Sequence, residues 1–214
     1  MELIHFLIDF VLHIDKHLTE IISQYGALTY VILFLIIFCE TGFVITPFLP
    51  GDSLLFAAGA LAANEATGLN IFLLAALMIV AAVTGNMMNY QIGRWIGPKA
   101  FEMDKWFLKK KNLERTQEFF EKHGNLAIVL SRFMPIIRTF APFVAGVGKM
   151  QYSRFSFYNL IGGISWVMLF LLVGYLFGNI PFVKDHFSYI VIGIIIASFI
   201  PVVVALMRGR KVRV

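Results

Sequence analysis

Three stretches of this chain, 66–93, 155–183 and 187–207, contain no aspartate, glutamate, lysine or arginine. About 20 apolar residues in an α-helix cross the ~30 Å hydrocarbon core of a bilayer. Inside that core every backbone N–H and C=O must find its partner within the protein, so runs of this length predict helices. The rest of the chain agrees, with 59% hydrophobic and 14% charged residues and a mean hydropathy of +0.80, well outside the soluble range. The expected fold is an all-α membrane protein, with residues 1–214 forming one integral membrane domain.

Charge placement argues for a membrane topology. Of 18 Lys and Arg residues, eight lie between Arg94 and Lys122 and four more in the tail MRGRKVRV. Basic clusters beside apolar runs mark cytoplasmic loops rather than nucleic-acid binding. That places 94–123, Lys149, Arg154 and the C-terminus inside, and leaves 62–69, 179–186 and the N-terminus outside with few basic residues. A complete crossing by 27–45 would instead bring the N-terminus inside. The lone cysteine, Cys39, excludes an internal disulfide and is read as a buried apolar side chain.

The first 24 residues are neither a signal peptide nor a span, because Asp9, Asp15, Lys16 and Glu20 interrupt them. Asp9, His13, Lys16, His17 and Glu20 recur at helical spacing opposite Leu3, Phe6, Leu7, Phe10 and Ile14, the pattern of an interfacial amphipathic helix. His13 and His17 are four apart, but no third ligand accompanies them and no metal is expected.

Two further apolar segments are too short to span. Residues 27–39 meet Glu40 and then the breaker run TPFLPGD, and 125–131 meet Arg132, Pro135, Arg138 and Pro142. Each is expected to be a re-entrant hairpin, broken at Pro47, Pro50 and Gly51 in the first and at Pro135 and Pro142 in the second. The order then repeats: an amphipathic helix (1–24), a hairpin (27–60) and a span (69–93), followed by NLERTQEFFEKHG, a hairpin (124–148) and a span (155–178). The first repeat covers 1–93 and the second 112–178, and 187–207 is an extra C-terminal span. AAGAL after the first hairpin echoes VAGVG after the second. An odd number of crossings between the halves makes the second repeat inverted, the arrangement of many transporters with midplane sites.

Ionisable groups in the bilayer interior are costly unless paired or hydrated, and usually line a functional path. Glu40 and Asp52 flank one breaker, and Arg132 and Arg138 flank the other. If the hairpins dip from opposite faces, two carboxylates meet two guanidiniums. A purely structural ion cluster is one reading, though buried ion pairs stabilise weakly compared with apolar packing. The chemistry favours another. Paired arginines present planar forks suited to phosphate oxygens, broken helix ends add backbone N–H groups, and carboxylates beside them can titrate. Glu40 and Asp52 are therefore candidate proton-coupling residues, and Arg132 and Arg138 candidate ligands of a phosphate head group.

These residues also carry a family pattern. FCETGFVITPFLPGDSLLFAAGALA, NYQIGRWIG, EKHG, SRFMPIIRTFAPFVAGVGKM and YNLIGGISWV resemble the DedA family of bacterial inner-membrane proteins over nearly the whole chain. The most specific parts are E-T-G…P-G-D and R-F-x-P-x-x-R-T-x-x-P-x-x-A-G. The resemblance implies a lipid transporter of the bacterial inner membrane, moving undecaprenyl phosphate or phospholipid with dependence on the proton motive force, and related to eukaryotic VTT-domain lipid scramblases. It places the family's acidic pair on Glu40 and Asp52 and its arginine pair on Arg132 and Arg138. Many members carry Asp where this chain has Asn86, so a proton role at that position is not carried over.

An enzyme is not expected. None of His5, His13, His17, His123 and His186 stands in a phosphatase-like turn, and neither H-E-x-x-H nor G-x-S-x-G occurs. An energy-independent scramblase, an ion channel and a small-ion or proton exchanger are the alternatives to a proton-coupled flippase, since the same four charges can serve ions. The expected partners are a polyprenyl phosphate or phospholipid and protons, with no cofactor. Trp95, Trp106, Tyr152 and Tyr189 near span ends fit interfacial belts, and Met87 and Met88 fit packing. Lys109, Lys110 and Lys111 read as topology determinants that also attract anionic lipid. Gly162, Gly163 and Gly174 permit close helix packing, within one chain or between protomers of a homo-oligomer.

Overall fold

A computed structural model of the chain describes residues 24–43, 51–97, 110–178 and 180–187, with positions 20, 22, 189, 190 and 192–194. Among them every regular element is helical: α1 (Leu28–Gly42), α2 (Gly51–Ala62), α3 (Ile71–Ile96), α4 (Lys110–His123), α5 (Ala127–Ser131), α6 (Pro135–Val147), α7 (Tyr152–Phe177) and α8 (Pro181–Asp185). Two of these, α3 and α7, are long and apolar enough to cross a membrane. The segment 1–19 with His13 and His17, the breakers Pro47 and Pro50, Trp106, Lys109 and most of the extra span 187–207 lie outside the described residues.

Local chemistry sets the helix ends. Asn70 opens α3: its Oδ1 accepts from the backbone N–H groups of Phe72 (2.9 Å) and Leu73 (3.1 Å), two donors that a helix start leaves without intrahelical partners. Gly97 closes it at φ 64°, a left-handed conformation that glycine adopts without Cβ strain. The helix therefore runs slightly beyond the expected span of 69–93. The apolar run 155–183 is not one helix. It stops at Phe177, because Pro181 holds Ile180 extended at ψ 131° and starts α8.

The described residues gather into two compact units, one from 24–35, 51–78 and 167–194, the other from 36–43, 79–97 and 110–166. In the first, α2 is buried from Gly51 through Ala60. Its small residues let backbones approach: a Cβ on Gly59 would strike the Leu171 carbonyl, and one on Gly174 would strike the Phe56 carbonyl. Dispersion between closely packed backbones is what holds helices together where surrounding lipid is equally apolar. In the second unit, a Cβ on Gly146 would strike the Tyr90 carbonyl, and one on Gly93 the Phe143 carbonyl. Gly162 and Gly163 face Val129, Val83 and the Arg132 side chain, so these glycines and Gly174 serve contacts within the chain.

Helix α4 confirms the amphipathic reading of NLERTQEFFEKHG. Leu113 and Thr116 are buried and Phe120 is half-buried, while Glu114, Gln117, Glu118 and Glu121 are exposed. Its apolar stripe meets Phe140, Phe143, Val144 and Val147 of α6, with Ile92 and Ile96 of α3 alongside. Met87 packs beside Tyr90 and Phe155, and Met88 reaches Gly42, as packing residues. Trp95 is 90% exposed at the end of α3, as an interfacial ring would be.

Between α5 and α6 the chain breaks at 132–134. Met134 takes an extended conformation (φ −127°, ψ 99°) ahead of Pro135, which occupies the first turn of α6, where its missing N–H costs nothing. Pro142 does not break the chain as expected but lies inside α6. It deprives the ladder only of the bond to the carbonyl four residues earlier, and packed neighbours tolerate such a loss in membrane helices. Gly51 is the first, buried residue of α2.

Candidate functional site

The polar core of the second unit is assembled from five elements. Glu40 and Thr41 come from the last turn of α1, Asn86 and Asn89 from one face of α3, and Arg132 from the break after α5. Arg138 and Thr139 lie on α6, and Asn159 and Trp166, two turns apart, share a face of α7. All nine side chains are buried, Arg132 at 1% exposure and Arg138 at 7%.

Arg138 Nη2 donates to Glu40 Oε1 at 2.5 Å in a buried ion pair. Arg132 is held differently, by neutral oxygens. Its Nη2 donates to the Ala82 carbonyl (3.1 Å) and to Asn159 Oδ1 (2.7 Å). Its Nε and Nη1 find no acceptor among the described residues. A buried guanidinium with donors left over is energetically costly in an apolar interior, because each donor has lost water without gaining an acceptor. Both arginines lie against one ring: Arg138 Cζ is 5.0 Å and Arg132 Cζ 5.8 Å from the Trp166 centroid, within cation–π range. Indole can offset part of the desolvation of a guanidinium, but it supplies no hydrogen-bond acceptor in the ring plane.

Three asparagines tie the surrounding backbone. Asn159 Nδ2 donates to the Val83 carbonyl (2.9 Å), and Asn86 Nδ2 donates to Asn159 Oδ1 (3.1 Å). Asn89 Nδ2 reaches two carbonyls, those of Thr41 (3.2 Å) and Thr139 (3.0 Å), joining the end of α1 to α6 beside Pro142. Asn89→Leu removes both bonds and offers no replacement donor. The expected loss is about 1–3 kcal/mol of stability, read as a lowered thermal melt in detergent with membrane insertion unchanged.

Of the four ionisable residues singled out in the sequence, Glu40, Arg132 and Arg138 are thus gathered in one core. Asp52 belongs to the other unit, buried in the first turn of α2, where helix N–H groups favour a carboxylate. Asn89, Asn159 and Trp166 were not foreseen. Their advance signals were membership of the quoted motifs, Asn89 in NYQIGRWIG and Asn159 and Trp166 in YNLIGGISWV, and, for the asparagines, polarity within an apolar run.

The VTT domain family matches residues 49–176, which include both arginines, Asp52 and all three asparagines. Protein DedA of Escherichia coli (strain K12) is 52% identical over 212 residues, covering 99% of this chain and 97% of that protein. The chain belongs to the DedA/VTT family. Other DedA/VTT relatives include the uncharacterized membrane protein Rv0364 of Mycobacterium tuberculosis (strain ATCC 25618 / H37Rv), 41% identical over 182 residues, 85% of this chain and 80% of that one. The inner membrane protein YghB of E. coli (strain K12) is 36% identical over 181 residues, 83% and 78% of the two chains. No solved structure matches. Family membership and two span-length apolar helices make this DedA/VTT chain a membrane protein.

Proposed function

We propose that the protein is a multi-pass transporter of the bacterial inner membrane that moves a phosphate-bearing lipid, a polyprenyl phosphate or a phospholipid, across the bilayer, coupled to protons. The observation that carries this reading is Arg132, buried, bonded to neutral oxygens only, with Nε and Nη1 donors that no described residue accepts. A phosphate supplies several charge-assisted acceptors at once. Arg138 completes the head-group site conditionally. While Glu40 is ionised it holds Arg138, and a proton on Glu40 removes the charge that competes with phosphate for that guanidinium. Asp52 is the second carboxylate assigned to proton coupling.

Sidedness and the inverted-repeat organisation belong to the same proposal. The contact pattern supports the repeat: Phe56 and Gly59 of α2 meet Gly174 and Leu171 of α7, as Phe143 and Gly146 of α6 meet Gly93 and Tyr90 of α3. The F-x-A-G spacing recurs at 56–59 and 143–146, and each run packs on the long helix assigned to the other repeat. Relatives named as inner membrane proteins support the location.

Flux in liposomes containing only this protein tests the proposal. Fluorescent or radiolabelled polyprenyl phosphate should cross faster when a pH gradient is imposed, with the neutral polyprenol left behind. Equal rates with and without the gradient would indicate a scramblase, and ion flux without lipid flux would indicate a channel or exchanger.

A further inference from the structure

Arg132 is oriented by its neighbours. Asn159 Oδ1 accepts from Arg132 Nη2 at 2.7 Å and from Asn86 Nδ2 at 3.1 Å, while Asn159 Nδ2 donates to the Val83 carbonyl at 2.9 Å. Turning the Asn159 amide over would set an NH2 group against two donors and an oxygen against a carbonyl, so three bonds fix its sense. The same face of α7 makes room for the arginine. A Cβ on Gly162 would lie 3.3 Å from Arg132 Cγ, and one on Gly163 would lie 3.5 Å from Arg132 Nη2. One turn further along, Trp166 lies beneath the guanidinium. Helix α7 therefore offers an acceptor, clearance and an aromatic floor in sequence, all aimed at one guanidinium.

The geometry points to Asn159 as the positioning residue for Arg132: it occupies Nη2 and so leaves Nε on one edge of the guanidinium and Nη1 on the other as the donors open to oxygens of the anionic head group. This rests on the phosphate reading above. The bound anion touches Arg132, and Asn159 acts through it, with Asn86 holding Asn159 in turn. A neutral amide suits the task because it fixes the guanidinium without cancelling its charge. A carboxylate at 159 would keep the acceptor for Arg132 but lose the bond to the Val83 carbonyl and compete with phosphate.

The test pairs a spectroscopic readout of Arg132 with binding, in full-length protein in nanodiscs. Nitrogen-detected spectra of the arginine side chains should show two resolved Nη signals for Arg132 in the wild type, because rotation is blocked. In Asn159→Leu they should merge, and affinity for a polyprenyl phosphate should fall by about 10-fold or more, the loss of one charged hydrogen bond's worth of placement. Asn159→Asp keeps the acceptor and should keep the signals resolved while weakening phosphate binding, which decides the matter even if the leucine variant fails to fold. Resolved signals in a folded Asn159→Leu, merged signals in Asn159→Asp, or merged signals with unchanged affinity in Asn159→Leu would each overturn the assignment while wild-type preference for phosphate stands. Wild-type protein that binds polyprenol as tightly as polyprenyl phosphate would instead overturn the phosphate reading and the purpose given to Asn159 with it. Inorganic phosphate bound as tightly as the lipid, with the same loss in Asn159→Leu, would support Asn159 as the positioning residue of a site for the free anion.

Discussion

Arg132→Lys is expected to weaken binding of a polyprenyl phosphate by about 10- to 100-fold, the equivalent of losing one charge-assisted hydrogen bond of roughly 1.5–3 kcal/mol. Lysine keeps the positive charge but replaces a planar fork with a single ammonium. In the wild type one nitrogen of that fork, Nη2, is already committed to the Ala82 carbonyl and Asn159, and the donors available to an anion are on Nε and Nη1. A lysine Nζ cannot satisfy both sides: if it bonds Asn159 it has less to offer phosphate, and if it turns to phosphate it abandons Asn159. The thermal melt is the internal control. Because Arg132 makes no carboxylate ion pair among the described residues, its replacement should leave the melt near wild type. Intact binding with a lowered melt would mean that Arg132 is a structural prop between α3 and α7 and would remove the head-group assignment. Arg138→Lys serves as the comparison. Arg138 is bonded to Glu40 at 2.5 Å, so its replacement should lower both affinity and melt.

How much of this could be read in the sequence follows from the kind of signal each feature leaves. Long uncharged runs leave an unmistakable one, and α3 and α7 fall where such runs are. Charges inside apolar segments leave another, which is why Glu40, Asp52, Arg132 and Arg138 stood out as a group before any geometry was known, although Asp52 falls in the other unit. Neutral polar residues leave a weaker one, because they carry no charge that demands a partner. Asn86, Asn89 and Asn159 carry the bonds that fix Arg132 and join α1 to α6. Trp166 reads as one more apolar side chain until two guanidiniums are found over it. Proline signals were legible only in part. Pro135 and Pro142 look alike in sequence, but the helix starts at the first and passes through the second, where Asn89 bonds the neighbouring Thr139 carbonyl. Whether a proline ends a helix depends on partners distant in the chain, which local sequence does not encode.

Glu40→Gln is expected to abolish the pH dependence of lipid transport. Glutamine preserves the side-chain shape, and its carbonyl oxygen can still accept from Arg138 Nη2, but it neither carries charge nor takes up a proton over the working range. On the proposed coupling, raising the pH ionises Glu40, which then competes with phosphate for Arg138, and lowering the pH protonates it and frees the guanidinium. Head-group affinity should therefore rise as pH falls on the side that loads the lipid. The amide variant is fixed in the uncharged condition, so its affinity should resemble that of the protonated wild type at every pH, with release rather than binding becoming slow. Stability should fall by about 1–3 kcal/mol, since a buried charged hydrogen bond becomes a neutral one. Asp52→Asn, in the first turn of α2, removes the other carboxylate proposed for proton coupling and should likewise abolish the pH response, without loosening the Glu40–Arg138 pair. Proteoliposomes assayed across a pH series, with the melt recorded for each variant, separate these effects. If both amide variants transport at wild-type rates with the wild-type pH response, proton coupling through these carboxylates is wrong, and the Glu40–Arg138 pair is a staple between α1 and α6.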